Sequence, residues 1–430
     1  METAARPLRV AFLLPTFPEV SNTFILDQIT GLIDRGHSVD LFARGTRSID
    51  GAYADVARYD LGSRLRHLPV PRNPWRRVTA IVPMVLNARG ARLAMLDALN
   101  PVRYGFSALK AVRIYTVASF ARSGPYDILH CQFGNHGPLA ERLISLGAAR
   151  GAKLVTSFRG ADLSIHVPAR PRRYRKLFRN GALFLPVTND FRERLLARGV
   201  PSDRVSVHRS GVNLRRFRFD PCRPPAQGEQ ARLLFVGRLT EKKGLDYVIK
   251  ALALELARER NCTLTVIGDG GLMPQMRAQC VDLGVADRVA FVGARTQDEI
   301  AQAMAESHIL LAPSVRAVNG DQEGIPNVLK EAMAIGMPVI STWHSGIPEL
   351  IEHGVSGLLV PERDAAALAA SLEDLLDHPE RWPMLQEAAR RKIEEEFDSE
   401  RLNDDLVAKY RAVLAKRSVT PLSTLVQGGP

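Results

Sequence analysis

Short apolar runs alternate with helix-like segments through the second half of the chain, and no other sequence feature constrains the fold as strongly. The runs are rich in β-branched residues and lie at 233–237, 263–268, 289–293, 309–314, 338–342 and 357–361. Segments typical of helices lie between them, at 244–260, 272–283, 297–306, 326–335, 347–353 and 364–377. Strands separated by helices predict βαβ units, and therefore a parallel sheet with helices on both faces.

The first half of the chain repeats this alternation less regularly. Its predicted strands lie at 8–15, 38–44, 126–132, 153–158, 182–188 and 205–210, with a helix from about 23 to 35. The sequence therefore predicts an α/β protein of two doubly wound, Rossmann-like domains whose parallel sheets face a central cleft. A length of 430 residues suits two domains of about 200 residues each.

A polar segment at 219–230, with three prolines and one glycine, marks the predicted domain boundary. The first domain is accordingly predicted to span 1–218 and the second 231–398. A further helical segment, 399–418, lies beyond the last predicted strand, and we expect it to cross back onto the first domain.

The chain is basic, with a net charge of +12 from 58 Lys and Arg against 46 Asp and Glu. Arginines crowd segments 64–92 and 170–179, where they form either a solvated surface or a surface for an anionic partner. Helix-turn-helix, RNP and zinc-finger patterns are absent from the sequence, so we do not expect nucleic acid as a partner. Four cysteines without a CxxC pair predict neither a zinc site nor a disulfide framework, which fits a reducing cytoplasm.

Segment 73–123 mixes apolar residues with arginines and is typical of amphipathic helices. It is predicted to be either an ordinary insertion that packs on the core or a surface that faces an anionic membrane. The sequence has no apolar run of the roughly 18 residues that a membrane span needs. The apolar run near the N-terminus is interpreted as a first strand rather than a signal peptide. We therefore expect a cytoplasmic protein. If segment 73–123 faces an anionic membrane, the protein would bind that membrane peripherally.

The most specific motif is DQEGIPNVLKEAMAIGMPVIST, in which Pro326 marks a helix start and Gly336 its end. Backbone N–H groups from Gly324 to Asn327 would then point out of a helix N-terminus that follows a strand, which favours a diphosphate site. Glu323 precedes this helix and Glu331 lies on it. Either carboxylate alone would usually be a solvated surface charge, so the prediction depends on the neighbouring motifs.

Three further loops are predicted at the same sheet edge. Pro348 opens a second helix after Gly346, which gives another anion-binding turn unless both helices simply begin with proline. Arg238 and Lys243 follow the first strand of the second domain, and such cations suit the phosphates of a leaving diphosphate. Gly268 follows the next strand and permits a close approach of backbone to ligand.

In the first domain, the segment LLPTFPEVSNTFILDQI reads as a strand, a loop and a helix capped by Ser21 or Asn22. The motifs HCQFGNHG and TSFRGADLS each follow a further strand. They place five polar residues at one edge, facing the opposite rim across the cleft: His130, Gln132, His136, Arg159 and Asp162. A histidine at a strand end is more often structural, and that alternative stays open for His130 and His136.

Together these motifs resemble retaining GT-B glycosyltransferases of family 4, most of all the colanic acid and amylovoran exopolysaccharide transferases. The matching stretches include FPEVSNTFILDQI, HCQFGNHG, SFRGADLS, VGRLTEKKGLDYVIKAL, PSVRAVNGDQEGIPNVLKEAMAIGMPVIST and HSGIPELIEHGVSGLLVPERD. The resemblance covers nearly the whole chain and is strongest from 231 to 362. It implies an acceptor-binding first domain and a donor-binding second domain.

The resemblance also implies roles for individual residues. Arg238 and Lys243 would hold the donor diphosphate and offset the charge that develops on it as it leaves. Glu323 would contact the transferred sugar, Glu331 the ribose, and the backbone of Gly324, Ile325, Pro326 and Asn327 the phosphate or sugar. His130 is predicted as an active-site histidine. Family members often carry a second histidine two positions later, where this chain has Gln132, and a glutamine side chain cannot act as a base.

The resemblance predicts transfer of a sugar from a nucleoside-diphosphate sugar to a lipid-linked saccharide acceptor, in exopolysaccharide or cell-envelope polysaccharide biosynthesis. The leaving phosphate itself would take the proton of the acceptor, with no metal or other cofactor. The two glutamates are therefore not interpreted as a glycosidase pair. A nucleotide-sugar epimerase and a non-catalytic sugar-nucleotide sensor are the alternatives.

Overall fold

Two parallel β-sheets organise the chain, and each has helices on both faces. The computed structural model describes residues 6–18, 23–46, 54–66, 73–86, 91–104 and 112–416. The first sheet has the order β2-β1-β3-β4-β5 and the second the order β11-β10-β9-β6-β7-β8. This arrangement confirms the predicted α/β fold class of two doubly wound domains.

The first sheet is parallel throughout, with Val10 aligned with both Val39 and Ile128. Its strands are β1 (Arg9–Phe17), β2 (Ser38–Thr46), β3 (Ile128–Cys131), β4 (Lys153–Phe158) and β5 (Leu183–Pro186). The helices of this half are Thr23–Asp34, Ala54–Arg58, Pro74–Thr79, Ile81–Leu86, Arg92–Ala98, Pro101–Tyr104, Val112–Ser123, Gly137–Ser145, Val167–Ala169, Pro171–Asn180 and Asn189–Leu196.

The strand predicted at 205–210 is wrong. The N–H groups of Ser206 and His208 donate to the carbonyl oxygens of Phe184 and Pro186, at 3.0 and 2.9 Å. Only one isolated bridge, between Phe184 and Val205, results from this pairing. The segment is extended, but it leaves the edge of β5 for the interdomain linker before a ladder forms.

The second sheet contains all six predicted strands, which are β6 (Ala231–Val236), β7 (Cys262–Ile267), β8 (Val289–Gly293), β9 (Ile309–Leu311), β10 (Val339–Thr342) and β11 (Leu358–Val360). Its helices are Leu245–Ala257, Met273–Asp282, Gln297–Ala305, Asn327–Ile335, Ile347–Leu350, Ala365–Asp377 and Trp382–Glu396. The helix Asn327–Ile335 begins one position later than predicted, so Pro326 immediately precedes it. Gly336 ends that helix with a φ of +88°, as predicted.

The last helix, Ser399–Ala415, packs on the first domain rather than on the second. Its Leu406, Tyr410 and Val413 are buried in the same apolar cluster as residues of β1. The side chain of Asn403 donates to the carbonyl oxygen of Asp27 at 3.1 Å. The chain therefore passes between the domains twice, once through the linker and once before this helix.

The two domains also touch where loops meet across the cleft. Glu349 accepts a hydrogen bond from the backbone N–H of Asn189 at 2.6 Å, and Gln322 accepts one from Arg194 at 2.6 Å. A Cβ atom on Gly346 would lie 2.1 Å from Cγ2 of Thr188, so only glycine permits this approach. None of the described helices combines the length and apolar character required to cross a bilayer.

Candidate active site

A cleft of about 600 Å³ lies between the domains, at the carboxyl ends of strands from both sheets. Open parallel sheets bind ligands at such an edge, outside the point where the strand order reverses. The loops after β6, β7 and β9 line it from the second domain, and the loops after β3 and β4 line it from the first. Residues from both domains can therefore reach one ligand there.

Glu323 lies in the loop before the helix Asn327–Ile335 and is held by two lysines. Its Oε1 lies 3.2 Å from Nζ of Lys242 and 3.3 Å from Nζ of Lys243. Burial raises the pKa of the Glu323 carboxyl, but the charges of Lys243 and Lys242 outweigh burial and lower that pKa to about 2. The carboxylate is therefore ionised at neutral pH, and it can only accept hydrogen bonds.

A histidine orients the backbone at Glu323. The N–H of Glu323 donates to Nε2 of His344 at 3.2 Å, while Nδ1 of His344 lies 2.6 Å from Oε1 of Glu362. The Glu362 carboxylate accepts from Nδ1, so Nε2 remains the acceptor that Glu323 requires. These contacts from Glu362 through His344 hold the backbone of the Glu323 loop in place.

The predicted diphosphate residues line the same cleft. Arg238 is exposed at the end of β6, and Lys243 ends a short turn, Glu241–Lys243. Gly244 follows with a φ of +73°, where a Cβ would lie 1.9 Å from the carbonyl oxygen of Pro313. Glycine at this position lets the lysine turn pack directly against the end of β9. Gly268, with a φ of +138°, makes a similar approach to the backbone of the β6 loop.

The helix Asn327–Ile335 presents its N-terminus to the cleft through Gly324, Ile325, Pro326 and Asn327, which all line it. Glu331 lies one turn further, where Oε1 accepts a hydrogen bond from Nε2 of Gln297 at 2.8 Å. Burial raises the pKa of Glu331. The structure thus brings every predicted donor residue of the second domain to one surface.

His130, predicted as catalytic, does not line the cleft. It is fully buried, with Nδ1 2.6 Å from the hydroxyl of Tyr410 and Nε2 2.8 Å from the hydroxyl of Ser157. Burial lowers its pKa well below the usual range. Because both ring nitrogens already have partners in the core, this placement supports the structural alternative and gives no support to catalysis by His130.

Arg159 lines the cleft, and Gln132 accepts two hydrogen bonds from its guanidinium group. Gln132 accepts from Arg159 through its carbonyl oxygen at 3.1 Å and through Oε1 at 2.8 Å. A third guanidinium bond ends on the Ser210 hydroxyl at 2.7 Å, and the group lies 4.5 Å from the ring centroid of Phe24. Burial lowers the pKa of Arg159 to about 10, so it remains a cation.

The other acceptor-side predictions have mixed placements. The Asp162 side chain shapes the cleft by accepting hydrogen bonds from the backbone N–H groups of Gly134, Arg159, Gly160 and Leu163. His136 is buried away from the cleft lining. Ser21 and Asn22 lie outside the described residues. Asp162 therefore holds the loops after β3 and β4 together through these hydrogen bonds.

Sequence reasoning missed several cleft residues, among them Lys242, Lys330 and Asn135. All three lie inside the motifs, but each looks like a neighbour of the residue that was singled out. Asn135 has a buried Oδ1 without a hydrogen-bond partner among the described residues. The sequence signal for these residues was their polar character inside a loop motif. Only the fold shows which polar residues of the motifs face the cleft.

Family comparisons agree with this two-domain arrangement. Residues 21–211 match the family described as glycosyl transferase 4-like domain, and residues 230–378 match glycosyl transferases group 1. The chain is 36% identical over 400 residues to the amylovoran biosynthesis glycosyltransferase AmsK of Erwinia amylovora, covering 91% of this chain and 96% of AmsK. It is 34% identical to the putative colanic acid biosynthesis glycosyltransferase WcaL of Escherichia coli K12, covering 94% of this chain and 100% of WcaL.

A solved structure shows the same fold. The crystal structure of Anabaena Alr3699/HepE in complex with UDP-glucose superposes with a TM-score of 0.69 at 16% identity. The match covers 94% of this chain and all of the HepE chain. At that identity the match is evidence for the GT-B architecture alone.

Proposed function

Because the chain belongs to the GT-B family of glycosyltransferases that includes the amylovoran and colanic acid enzymes, we propose that it moves a sugar from a nucleoside-diphosphate sugar to a saccharide acceptor. One observation carries the proposal: Arg238 and Lys243 share a cleft with the Glu323 loop and a helix N-terminus. Two cations and free backbone N–H groups are the chemistry that a sugar-linked diphosphate requires.

The leaving diphosphate would lie against Arg238, Lys243 and the N-terminus of the helix Asn327–Ile335. These groups stabilise negative charge as the bond to the sugar breaks, which is when they contribute to the rate. The UDP-glucose bound by HepE supports a nucleoside-diphosphate sugar as the donor class. Glu331 is placed one turn along the helix, where it would accept hydrogen bonds from the ribose hydroxyls.

Glu323 would accept a hydrogen bond from a hydroxyl of the transferred sugar. The reaction would proceed with retention, and an oxygen of the leaving phosphate would take the proton of the acceptor. This route uses neither His130 nor a metal ion, so we expect a chelator such as EDTA to leave the rate unchanged.

The acceptor would be a lipid-linked saccharide of exopolysaccharide biosynthesis, met at the cytoplasmic face of the membrane. The names of the AmsK and WcaL relatives support the polysaccharide class. An apolar patch on the first domain supports contact with lipid. Its exposed side chains are Trp75, Val82, Leu86, Leu93, Leu96 and Val102. The exposed Arg76 and Arg92 lie in the same segment, so apolar and cationic groups together suit an anionic membrane interface.

The donor can be identified by measuring the melting temperature of the full chain with a panel of nucleoside-diphosphate sugars, since a ligand of the folded state raises it. The donor that stabilises the chain most is then incubated with lipid-linked saccharides extracted from membranes. We expect transfer, and its loss in Glu323→Ala. Unchanged transfer by Glu323→Ala, or formation of an epimer from the donor alone, would contradict the proposal. The exposed Glu352→Ala is the matched control.

A further inference from the structure

Two cations that line the cleft, the buried Lys330 and the partly buried Arg159, have only neutral groups as hydrogen-bond partners. Nζ of Lys330 donates to the carbonyl oxygen of Ser210 at 2.6 Å, and the lysine is 1% exposed. The guanidinium of Arg159 donates to Gln132, Gln28 and the hydroxyl of the same Ser210. Both cations therefore converge on one residue at the end of the first domain.

The carboxylates near this pair do not form salt bridges with it. Among the described residues, no carboxylate oxygen lies within 4.0 Å of either cation. Asp162 is occupied by four backbone N–H groups, and Glu331 accepts from Gln297. Burial raises the pKa of Asp27 to about 7, so its negative charge is partly lost at neutral pH. The two positive charges thus lack a close counter-ion.

Buried cations without a counter-ion are costly, because the protein does not replace the water that stabilised them. Burial lowers the pKa of Lys330 to about 7 against the opposing effect of the Glu331 charge, so the lysine is only partly protonated at neutral pH and a bound anion would favour its charged form. Both side chains line the cleft, where a ligand can supply the missing negative charge.

The position of the pair distinguishes it from the donor diphosphate residues. Arg238 and Lys243 follow β6 in the second domain, whereas Arg159 follows β4 in the first domain and Lys330 reaches across to Ser210. Phe24 and Asn135, which line the cleft beside Arg159, also belong to the first domain. An aromatic ring and the unpartnered Oδ1 of Asn135 are suited to a sugar ring and one of its hydroxyls.

We propose that Arg159 and Lys330 bind a carboxylate or phosphate group of the acceptor, so that the acceptor is an acidic saccharide. The inference rests on the proposed function and specifies its acceptor. Four of the five N–H groups of Arg159 donate to described residues of the protein, which leaves one for an anion, and Lys330 adds a second charge from the other domain. An acidic acceptor would therefore also hold the two domains together at Ser210.

Calorimetric titration of the full chain tests this inference. The chain is first saturated with whichever of UDP, GDP, ADP and dTDP raises its melting temperature most. Methyl β-D-glucuronide and methyl β-D-glucoside, which differ in a carboxylate against a hydroxymethyl group, are then titrated separately. We expect the glucuronide to bind at least tenfold more tightly, and this preference to disappear in Lys330→Met and in Arg159→Met. Lys176→Met removes a charge from an exposed helix position and should keep the preference.

Glucose 6-phosphate distinguishes the two sources of the anion. If it displaces the glucuronide and binds more tightly, the acceptor group is a phosphate ester, and the inference of an anionic acceptor stands. Equal affinities for the two methyl glycosides in the wild type, or a preference that survives in both variants, would overturn it. A tenfold loss of nucleotide affinity in Lys330→Met would also overturn it, by assigning the lysine to the donor. Failure of every nucleotide to bind would instead contradict the proposed function.

Discussion

The ammonium group of Lys243 lies 3.3 Å from Oε1 of Glu323, so the residues predicted to meet the diphosphate and the sugar touch each other. Lys242 contacts the same oxygen and also lies 3.1 Å from Asp321. When a diphosphate engages Lys243, Lys242 can keep Glu323 ionised and in place. The two adjacent lysines therefore have separable functions, which the first two predictions address.

Lys243→Ala should weaken nucleoside-diphosphate binding at least tenfold, because one charge-assisted contact to a phosphate contributes on the order of 1.5–3 kcal/mol. Calorimetry with the best nucleotide measures the change. Lys250→Ala removes a half-exposed lysine that pairs with Asp246 and should bind as the wild type does. Equal affinities of Lys243→Ala and the wild type would contradict the placement of the diphosphate.

Lys242→Met should move the acid limb of the transfer reaction to higher pH. Burial raises the pKa of Glu323, and only the two lysine charges bring it down to about 2. Removing one opposite charge raises such a pKa by roughly one unit or more, so ionised Glu323 is lost at a higher pH as the solution is acidified. The pH profile of kcat/KM measures this shift. Lys242→Arg keeps the charge and should restore most of the wild-type profile.

Lys330→Met should stabilise the fold by roughly 2 kcal/mol at pH 7, because methionine fills the site without burying a charge. The folded-state pKa of Lys330 is about 7, below its usual 10.5, so the unfolded chain binds more protons between these values. The unfolding free energy of the wild type should therefore rise with pH from about 7 to 10. Urea unfolding across this range should show a flatter profile in the variant.

The slopes are best compared between about pH 8 and 9, because Asp27 and Arg159 have pKa values of about 7 and about 10, at the two edges of the window. Glu331, Arg159 and Asp27 are the groups whose charges act on it. Asp27 has a pKa raised by burial to about 7 from 3.8, so its contribution changes below pH 7. If the unfolding free energies of the wild type and Lys330→Met had identical slopes against pH above pH 7, the low folded-state pKa of Lys330 would be contradicted.

Gly346→Ala should hold the domains apart, because the added Cβ would lie 2.1 Å from Cγ2 of Thr188. We expect nucleotide affinity to change less than threefold, transfer to fall by at least tenfold, and the radius of gyration in X-ray scattering to increase. Adding Thr188→Ser removes the clashing methyl group and keeps the hydroxyl that caps the helix Asn189–Leu196, so part of the activity should return. Gly271→Ala, with no atom nearby, is the control.

The apolar patch should bind anionic vesicles, and Leu93→Ser with Trp75→Ser should lower vesicle affinity at least tenfold. Flotation with vesicles of phosphatidylglycerol and phosphatidylethanolamine, at low salt, measures the bound fraction. Leu93 and Val281 are both 68% exposed, but Val281 lies on the second domain. Val281→Ser should therefore float like the wild type. Absence of wild-type flotation would remove the membrane from the proposal.

The second sheet was predictable because each of its strands appears as a short apolar run, and all but the edge strand β8 are largely buried. The donor residues could be grouped for a related reason: carboxyl ends of parallel strands meet at one edge. His130 shows the limit of that argument. It also ends a strand, but Tyr410, which is 280 positions away in the sequence, covers it. Lys330 and Ser210 likewise meet across 120 positions, a contact that no local pattern indicates.

Crossing of the helix Ser399–Ala415 onto the first domain has a consequence for biosynthesis of the chain. Ribosomes release residues in order, so Leu406 and Tyr410 emerge after the entire second domain. Until then, the face of the first sheet that they cover stays open to water, and His130 lacks the hydroxyl of Tyr410. The first domain can therefore complete its core only after the second domain has been synthesised, and a polypeptide stopped at residue 218 lacks part of its own interior.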